Sequence, residues 1–389
     1  MGAVKYDRTL FEPEHDLFRE SYRAFLERHV APFHDEWEKN KIVDRQVWLE
    51  AGKQGFLGMA VPEEYGGGGN DDFRYNVVIT EETSAGRYSG LGVPPLQNDV
   101  MAPYFLRLTT EEQKQRWLPG FCSGDYITAI AMTEPGTGSD LQGIKTRAVK
   151  QEDGSWVLNG SKTFITNGVN ADLVIVVACT DPEKGALGFS LLVVERGMAG
   201  FERGTPPRQD RPRRPGHRRV VVHRRARARR ELLGEEGSGF VYLMQNLPPQ
   251  ERISIAVMAA AGMEAVLDQT LQYTKDRKAF GKPIGSFQNS RFLLAELATE
   301  ATVVRIMVDD FVRLHLEEKL TVEQAAMAKW YATEAQVRLN DRCLQLHGGY
   351  GYMREYPPVA RAFLDARIQT IYGGTTEIMK EIIGRSLGV

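Results

Sequence analysis

Four amphipathic stretches fill most of the last third of the chain: Arg252–Lys275, Gln288–Leu316, Thr321–Leu346 and Thr376–Leu387. Apolar residues recur along each at a helical period, so each helix must bury a stripe against a neighbour. Long helices do that as a bundle. Helical patterning also marks the beginning of the chain. Glu12–His34 places Leu17, Phe18, Tyr22, Phe25, Leu26 and Val30 on one side, Val47–Gln54 and Tyr75–Ala85 are weaker, and Thr109–Leu118 opens on a capping threonine. Glu63–Asn70, with four consecutive glycines, reads as a loop. Near Asp125 the texture changes. Ile127–Met132, Ser155–Asn159, Lys162–Thr166, Asp172–Cys179 and Gly188–Val194 are short runs rich in Val, Ile, Thr, Phe and Trp, separated by DG, NG and PEKG turn signals. The expected fold is α+β multidomain: an N-terminal helical domain over 1–128, a middle antiparallel β domain over 129–240 and a C-terminal four-helix bundle over 241–389. The sequence shows no internal repeat.

Composition excludes several classes. At 389 residues, 42% hydrophobic and 26% charged, the chain is long enough for two or three domains and is not a disordered one. The longest apolar runs, Leu173–Cys179 and Ile253–Met263, fall short of the ~20 residues that span a bilayer, so no membrane span is expected. The opening MGAVKYDRTL has no apolar signal core, and Tyr6 stands where a myristoylation signal needs Ser or Thr. Cys122, Cys179 and Cys343 are odd in number and far apart. They offer neither a disulfide framework nor a zinc spacing, so no metal and a reducing, cytoplasmic setting of bacterial type are expected. Net charge is −2, but Thr205–Arg230 holds eleven arginines against Asp210, a local +10, which leaves −12 on the remainder.

Several motifs admit a ligand, each beside a plainer reading. In TEPGTGSD (Thr133–Asp140), Gly136 and Gly138 permit close backbone approach and Thr133 and Ser139 offer hydroxyls, or the segment is an ordinary turn. NGSKTFITNG (Asn159–Gly168) puts an NG at each end of a strand with Phe164 and Thr166 on one face, where they suit a flat ring or a core. DRKAFGKPIGSFQ (Asp276–Gln288) gathers Arg277, Lys278 and Lys282 around a glycine, as a pyrophosphate would need or as any solvated turn does. LHGGYGY (Leu346–Tyr352) is a backbone-lined anion site or a helix C-cap. In PPQERISIA (Pro248–Ala256), Pro opens a helix and Glu251 complements its dipole or acts chemically.

Taken together, in this order, these motifs and the ending IYGGTTEIMKEIIGR resemble the acyl-CoA dehydrogenase family over essentially the whole chain except about Thr205–Glu231. The resemblance implies the same helical, β and four-helix-bundle arrangement. It also implies FAD, an acyl-CoA thioester substrate, electron transfer flavoprotein as acceptor and a homotetramer. Residue by residue, Met132, Thr133, Gly138 and Ser139 match the family's flavin loop, with Ser139 also near substrate. Phe164 replaces the usual Trp on the isoalloxazine, and Thr166 matches the hydroxyl near flavin N5. Arg277, Phe280 and Gln288 match contacts to a neighbouring subunit's FAD, as do Gln345, Gly348 and Gly349. Thr375 and Glu377 lie on the last flavin-binding turn.

Many members carry the catalytic base as Glu in a YEGT motif. Here the motif is Tyr372-Gly373-Gly374-Thr375, and Gly373 cannot take a proton. Long-chain and isovaleryl-type members place the base at the start of a bundle helix just before an Arg, which corresponds to Glu251 before Arg252. Asp365, Glu355 and Glu377 are weaker candidates. The resemblance gives Gly373 a backbone role at the thioester oxygen beside the flavin ribityl hydroxyl, and gives Arg252, Tyr372 and Gly374 places around the substrate. It leans toward long-chain acyl groups with branched short-chain thioesters as the alternative. Other classes fit less well. A nucleic-acid binder would use the arginine run, but the run has no interleaved aromatics and the remaining chain is acidic. A flavin-free scaffold would not keep the motifs, and an oxidase would carry a longer C-terminal region.

Residues 205–231 depart from the family. Back-translated with permitted codons and read one nucleotide on, Pro207–Glu231 becomes RGKIGLDAQDTAELSFTDVRVPAEN, a strand–turn–strand with restored alternation. Two compensating frame errors are therefore the expected origin, and a real arginine-rich loop is the alternative. As written, the segment is expected to be poorly ordered or misfolded, weakening the middle domain, with an inactive family member as an alternative reading.

Overall fold

The computed structural model describes residues 6–88, 91, 95–203, 218–228, 231–353 and 359–388. The early helices are α1 (Pro13–His29), α2 (His34–Asn40), α3 (Gln46–Lys53), α4 (Phe73–Ala85), α5 (Ala102–Leu108) and α6 (Glu111–Ser123). The strands are β1 (Thr128–Ala131), β2 (Arg147–Lys150), β3 (Trp156–Ile165), β4 (Leu173–Cys179), β5 (Phe189–Glu195), β6 (Phe201–Arg203), β7 (Arg218–Ala228) and β8 (Leu232–Leu233). Then come α7 (Gly239–Asn246), α8 (Arg252–Asp276), the short pair β9 (Lys278–Ala279) and β10 (Lys282–Pro283), α9 (Gln288–Leu316), α10 (Val322–His347), α11 (Gly349–Tyr352), α12 (Val359–Gln369) and α13 (Thr376–Ser386). Helices at both ends flank a β region, as in the acyl-CoA dehydrogenase fold. The chain divides into two compact units. A helical unit is drawn from Met1–Arg23, Phe73–Ser89 and Leu247–Val389, and a β-containing unit from Ala24–Asp72 and Gly90–Asn246.

In the β-containing unit one sheet runs in the order β6-β7-β3-β2-β4-β5-β8, with β1 on β4. It is mostly antiparallel, but β1 pairs parallel with β4 and a single bridge, Arg147 to Cys179, joins β2 and β4 in parallel. Every residue of β4 is buried, which explains its unbroken LVIVVAC run. Ala129, Ala131, Leu158, Val174, Val176, Leu192 and Val194 share one core. Each buried Val or Leu there contributes ~1.5–3 kcal/mol. Helix α6 is capped by a threonine, as expected, but one residue later than Thr109. Thr110 Oγ1 accepts from Gln113 N at 3.3 Å, while Gln113 Oε1 accepts from Thr110 N at 2.9 Å.

Two sequence expectations are corrected here. Ser155–Asn159 and Lys162–Thr166 are one strand, β3, and Asn159-Gly160 is not a turn but a register slip between Leu158 and Gly160. Gly160 is needed because a Cβ there would collide with Thr146 Oγ1. The arginine-rich segment does build a strand over 218–228. β7 pairs antiparallel with β3 and with β6, its Val220-Val221-Val222 triplet supplying β propensity. The rest of that expectation falls on 204–217 and 229–230, outside the described residues.

In the helical unit α8 lies at the centre. Its Ile253, Ala256, Val257, Ala260, Met263 and Leu267 share a core with Leu297, Val304 and Val308 of α9, Ala328, Ala332, Ala335 and Leu339 of α10, and Phe73 and Val77 of α4. By length and composition alone Pro249–Asp276 is apolar enough to cross a membrane, contrary to the run-length expectation. Uninterrupted runs understate it because Glu264 ends the run, while Val266, Leu267, Thr270 and Thr274 beyond it are still buried. It is a core helix, mostly covered within the chain. Helix α12 was not anticipated.

A buried ion network ties this unit together. Glu81 of α4 accepts from Arg8 Nη2 at 2.7 Å and Arg305 Nη1 at 2.8 Å, and Glu82 accepts from Arg19 Nη1 at 2.9 Å and Arg23 Nε at 2.9 Å. Burial alone would raise the Glu81 carboxyl, but the Arg305 and Arg8 guanidiniums outweigh it and hold it down at about 2.

Candidate active site

Glu251 does not cap an open helix end. A π-helical turn, Leu247–Glu251, leads directly into α8, and Glu251 already has helical backbone angles (φ −61°, ψ −43°) with no capping bond. Pro248 and Pro249 sit in that turn, where their missing N–H groups are tolerated. The dipole explanation for Glu251 therefore falls away. The residue as a whole is half-buried, and its carboxyl is desolvated. Burial raises its proton affinity, and Arg252 and Lys329 only partly offset this, leaving the carboxyl at about 7.

The Tyr372–Thr375 turn faces Glu251. Gly373 and Gly374 are both left-handed, at φ 65° and 94°. A Cβ built on Gly373 lies 3.7 Å from Glu251 Oε1 and collides with Ile255 Cδ1. Tyr372 hydroxyl donates to Met258 Sδ at 3.6 Å, one face of α8 further along. Arg252 is buried and its Nη1 has no hydrogen-bond partner among the described residues, an unsatisfied donor beside the carboxylate. Burial lowers the Arg252 guanidinium from its ordinary value while Glu251 supports it. Glu251, Arg252, Tyr372, Gly373 and Gly374 are thus brought together. Of the weaker base candidates, Glu377 is exposed and held below the usual carboxylate range, chiefly by its own backbone N–H. Asp365 is half-buried on α12, and Glu355 lies outside the described residues.

In the β-containing unit the Thr133–Asp140 loop is pinned from below. Lys162, fully buried, donates to the Met132 carbonyl at 2.9 Å and to Glu134 Oε1 at 3.0 Å. Glu134 also accepts from Lys145 N at 2.8 Å, Thr146 N at 2.9 Å and Thr146 Oγ1 at 2.5 Å. Burial lowers Lys162 to about 8 despite Glu134. Above this anchor, Gly138 and Ser139 are exposed and nothing crowds Gly136 or Gly138, while Met132 and Thr133 are half-buried. Phe164 is 71% exposed and left-handed (φ 59°), Thr166 half-buried. That left-handed residue breaks the alternation the sequence suggested for Phe164 and Thr166.

A third set lies in the helical unit. Arg277, Gly348 and Gly349 line a 560 Å³ pocket with Tyr273, His347 and Tyr350. Tyr273 stacks on His347 with centroids 4.1 Å apart, and Arg277 sits over the Tyr350 ring at 5.6 Å. Phe280, Gln288 and Gln345 are exposed and do not line it. Phe280, 94% exposed, occupies a left-handed turn between β9 and β10. Thr375 caps α13, and with Glu377, Arg367 and Glu334 it lines a separate 240 Å³ pocket.

Each set suits one part of FAD. Phe164, an aromatic held out to solvent in a left-handed conformation, suits a flat ring. Arg277 with uncrowded Gly348 and Gly349 suits a diphosphate, and the Arg252 donor lacks a partner that a ligand can supply. No cluster of His, Cys, Asp or Glu fit to hold a metal exists among the described residues, and the three cysteines are free and buried. Sequence reasoning missed Lys329 and the Lys162–Glu134 anchor. Lys329 left a signal: it falls on the buried phase of an alanine-rich stripe, Ala325, Ala328 and Ala332.

Family models for the N-terminal, middle and C-terminal domains of acyl-CoA dehydrogenase match residues 12–125, 129–217 and 237–388. A long-chain specific acyl-CoA dehydrogenase from Rattus norvegicus is 46% identical over 98% of this chain and 88% of its own length. An acyl-CoA dehydrogenase structure from Geobacillus kaustophilus superposes with a TM-score of 0.94 at 44% identity, covering 98% of this chain and 100% of that one. A Mycobacterium smegmatis glutaryl-CoA dehydrogenase in complex with FADH2 superposes at 0.86 with 27% identity, over 97% and 95% of the two chains. The chain belongs to the acyl-CoA dehydrogenase family, FAD-dependent oxidoreductases that act on CH–CH groups.

Proposed function

We propose that the chain converts a long-chain acyl-CoA thioester to the trans-2-enoyl-CoA with Glu251 as base. The observation that carries this reading is a desolvated carboxyl, at about 7, against the Gly373 turn. Such a carboxylate is basic enough to remove a proton and is largely ionised just above neutrality. The acyl α-hydrogen becomes acidic when the thioester carbonyl is polarised, and the Gly373 N–H is the proposed donor to that oxygen. Glu251 takes the α-proton onto a carboxylate oxygen. Ile255, packed on Gly373, keeps water from that side. FAD, when bound, supplies the hydride acceptor for the β-hydrogen. Met132, Thr133, Gly138, Ser139, Phe164 and Thr166 would hold its ring end. Thr375, Glu377 and, from a neighbouring subunit, Arg277, Phe280, Gln288, Gln345, Gly348 and Gly349 would hold the remainder.

The long-chain reading is supported by the 46% identity reported above. The domain boundaries 1–128, 129–240 and 241–389, electron transfer flavoprotein as acceptor, a homotetramer and a cytoplasmic setting complete the proposal. The exposed Phe280 supports the tetramer and the three free thiols support the reducing setting. The test is a panel of CoA thioesters, short to long and straight or branched, assayed with electron transfer flavoprotein and with oxygen. Highest kcat/KM on long straight chains with the flavoprotein is expected. Preference for isovaleryl-CoA, or rapid oxygen turnover, would overturn the substrate or the acceptor.

A further inference from the structure

Buried cations in this protein generally meet carboxylates: Arg305 meets Glu81 and Glu264, and Lys162 meets Glu134. Lys329 does not. It is fully buried on α10, and among the described residues no carboxylate lies within ion-pair distance of it. Its ammonium donates instead to the Gly374 carbonyl at 2.5 Å. A buried ammonium answered by a single carbonyl is unfavourable unless charge nearby compensates it. The groups facing it are Glu251 and Arg252 from α8, Glu334 from its own helix and Glu377 from α13.

We propose that Lys329 is a positioning residue for Glu251: through the Gly374 carbonyl it anchors the Gly373–Gly374 turn against the Glu251 carboxyl and sets a buried positive charge beside it. The proposal rests on the reading of Glu251 as the base. The link is geometric. Lys329 holds the Gly374 carbonyl, Gly374 follows Gly373, and a Cβ on Gly373 would stand 3.7 Å from Glu251 Oε1. Two consecutive left-handed glycines have little intrinsic preference for this shape, so an external anchor on their carbonyl matters. Electrostatics agree. Burial raises Glu251 to about 7, with Arg252 and then Lys329 pulling it back. Burial lowers Lys329 to about 8, with Glu251 supporting it, so the ammonium still carries its proton where the carboxyl loses its own. Tyr372, the other titratable group on the turn, is engaged with Met258. Loss of a neighbouring unit positive charge raises the proton affinity of a desolvated carboxyl by roughly tenfold.

The test uses the flavin-loaded enzyme with Lys329→Met, which removes donor and charge, and Lys329→Gln, which keeps an amide donor without charge. Melting temperature and flavin content show whether each folds, and Gln is the milder change if Met does not. Infrared difference titration reads the Glu251 carboxyl directly, its band identified by loss in Glu251→Gln, and the pH profile of flavin reduction is recorded in parallel. Both Lys329 variants should move the carboxyl midpoint up by about one pH unit, about a tenfold loss of rate at pH 6.5 that shrinks by pH 8.5. Only Lys329→Met should also raise KM severalfold. An unmoved infrared midpoint in folded variants overturns the proposal, as does a loss of rate equal at every pH. Full activity in Glu251→Gln would instead sink the base assignment, and the infrared shift would still judge the electrostatic half of the proposal on its own.

Discussion

Combining Glu251→Gln with Gly373→Glu should move the carboxylate from helix to turn while leaving it nearly in place. A Cβ on Gly373 points into the volume of the Glu251 carboxyl, 3.7 Å from Oε1. Two costs follow. At φ 65° any residue other than glycine costs about 1–2 kcal/mol. The new Cβ also displaces Ile255 Cδ1, the tip of a flexible side chain, for about 0.5–1.5 kcal/mol. The sum, roughly 1.5–3.5 kcal/mol, is a tolerable fraction of the stability of a domain. Glu251→Gln alone should slow the chemistry by about 10²–10⁴, the usual worth of a general base. The double variant should recover about ten- to a hundredfold, and Ile255→Val should add to that by opening the clash. Anaerobic stopped-flow bleaching of the flavin with saturating acyl-CoA measures the step, with thermal melts as control. Glu251→Gln above a third of the wild-type rate would refute the base. A folded, flavin-bound double variant no faster than Glu251→Gln would refute the shared carboxylate position.

In the wild-type enzyme, flavin reduction should rise with pH through about 7 and level off, because only ionised Glu251 accepts a proton; a profile flat from pH 5.5 to 8.5 would contradict this. Arg305→Met should destabilise the helical unit by about 1.5–3 kcal/mol in denaturant melts, since it removes a charged hydrogen bond from buried Glu81 and leaves it to Arg8 and Arg19. The Glu81 carboxyl is held below its unfolded value, so its stabilisation is complete above pH ~4.5 and fades as pH falls toward 2; Glu81→Gln should flatten acid unfolding in that window. Lys162→Met leaves Glu134 buried without its cation and should cost about 3 kcal/mol while raising the FAD dissociation constant, read by flavin loss on gel filtration.

Helices and the outline of the sheet were legible because period and turn chemistry are local: Thr110 with Gln113 marks the start of α6, and the unbroken apolar run of β4 marks a strand buried on both faces. The site was legible only as separate motifs. Nothing in PPQERISIA distinguishes a solvated Glu251 from one desolvated by a turn and a lysine brought from elsewhere in the chain. Lys329 itself looks like an interruption of an alanine stripe until the Gly374 carbonyl is seen above it. Asn159-Gly160 misled because an NG pair signals a hairpin by its backbone freedom, whereas this glycine is required by the nearness of Thr146.

The discontinuity of the helical unit has a consequence for biosynthesis. Its first pieces, Met1–Arg23 and Phe73–Ser89, leave the ribosome long before Leu247–Val389, while the intervening β-containing unit is finished by Asn246. Helix α4 then carries Glu81 toward a partner, Arg305, separated from it by 224 positions. Until that arginine is translated, α4 has an apolar stripe with no core to enter and Glu81 still lacks part of its ion network. Nascent chains halted after residue 246 should therefore hold a folded sheet and an unfinished helical unit, which is the state in which chaperones would engage this protein.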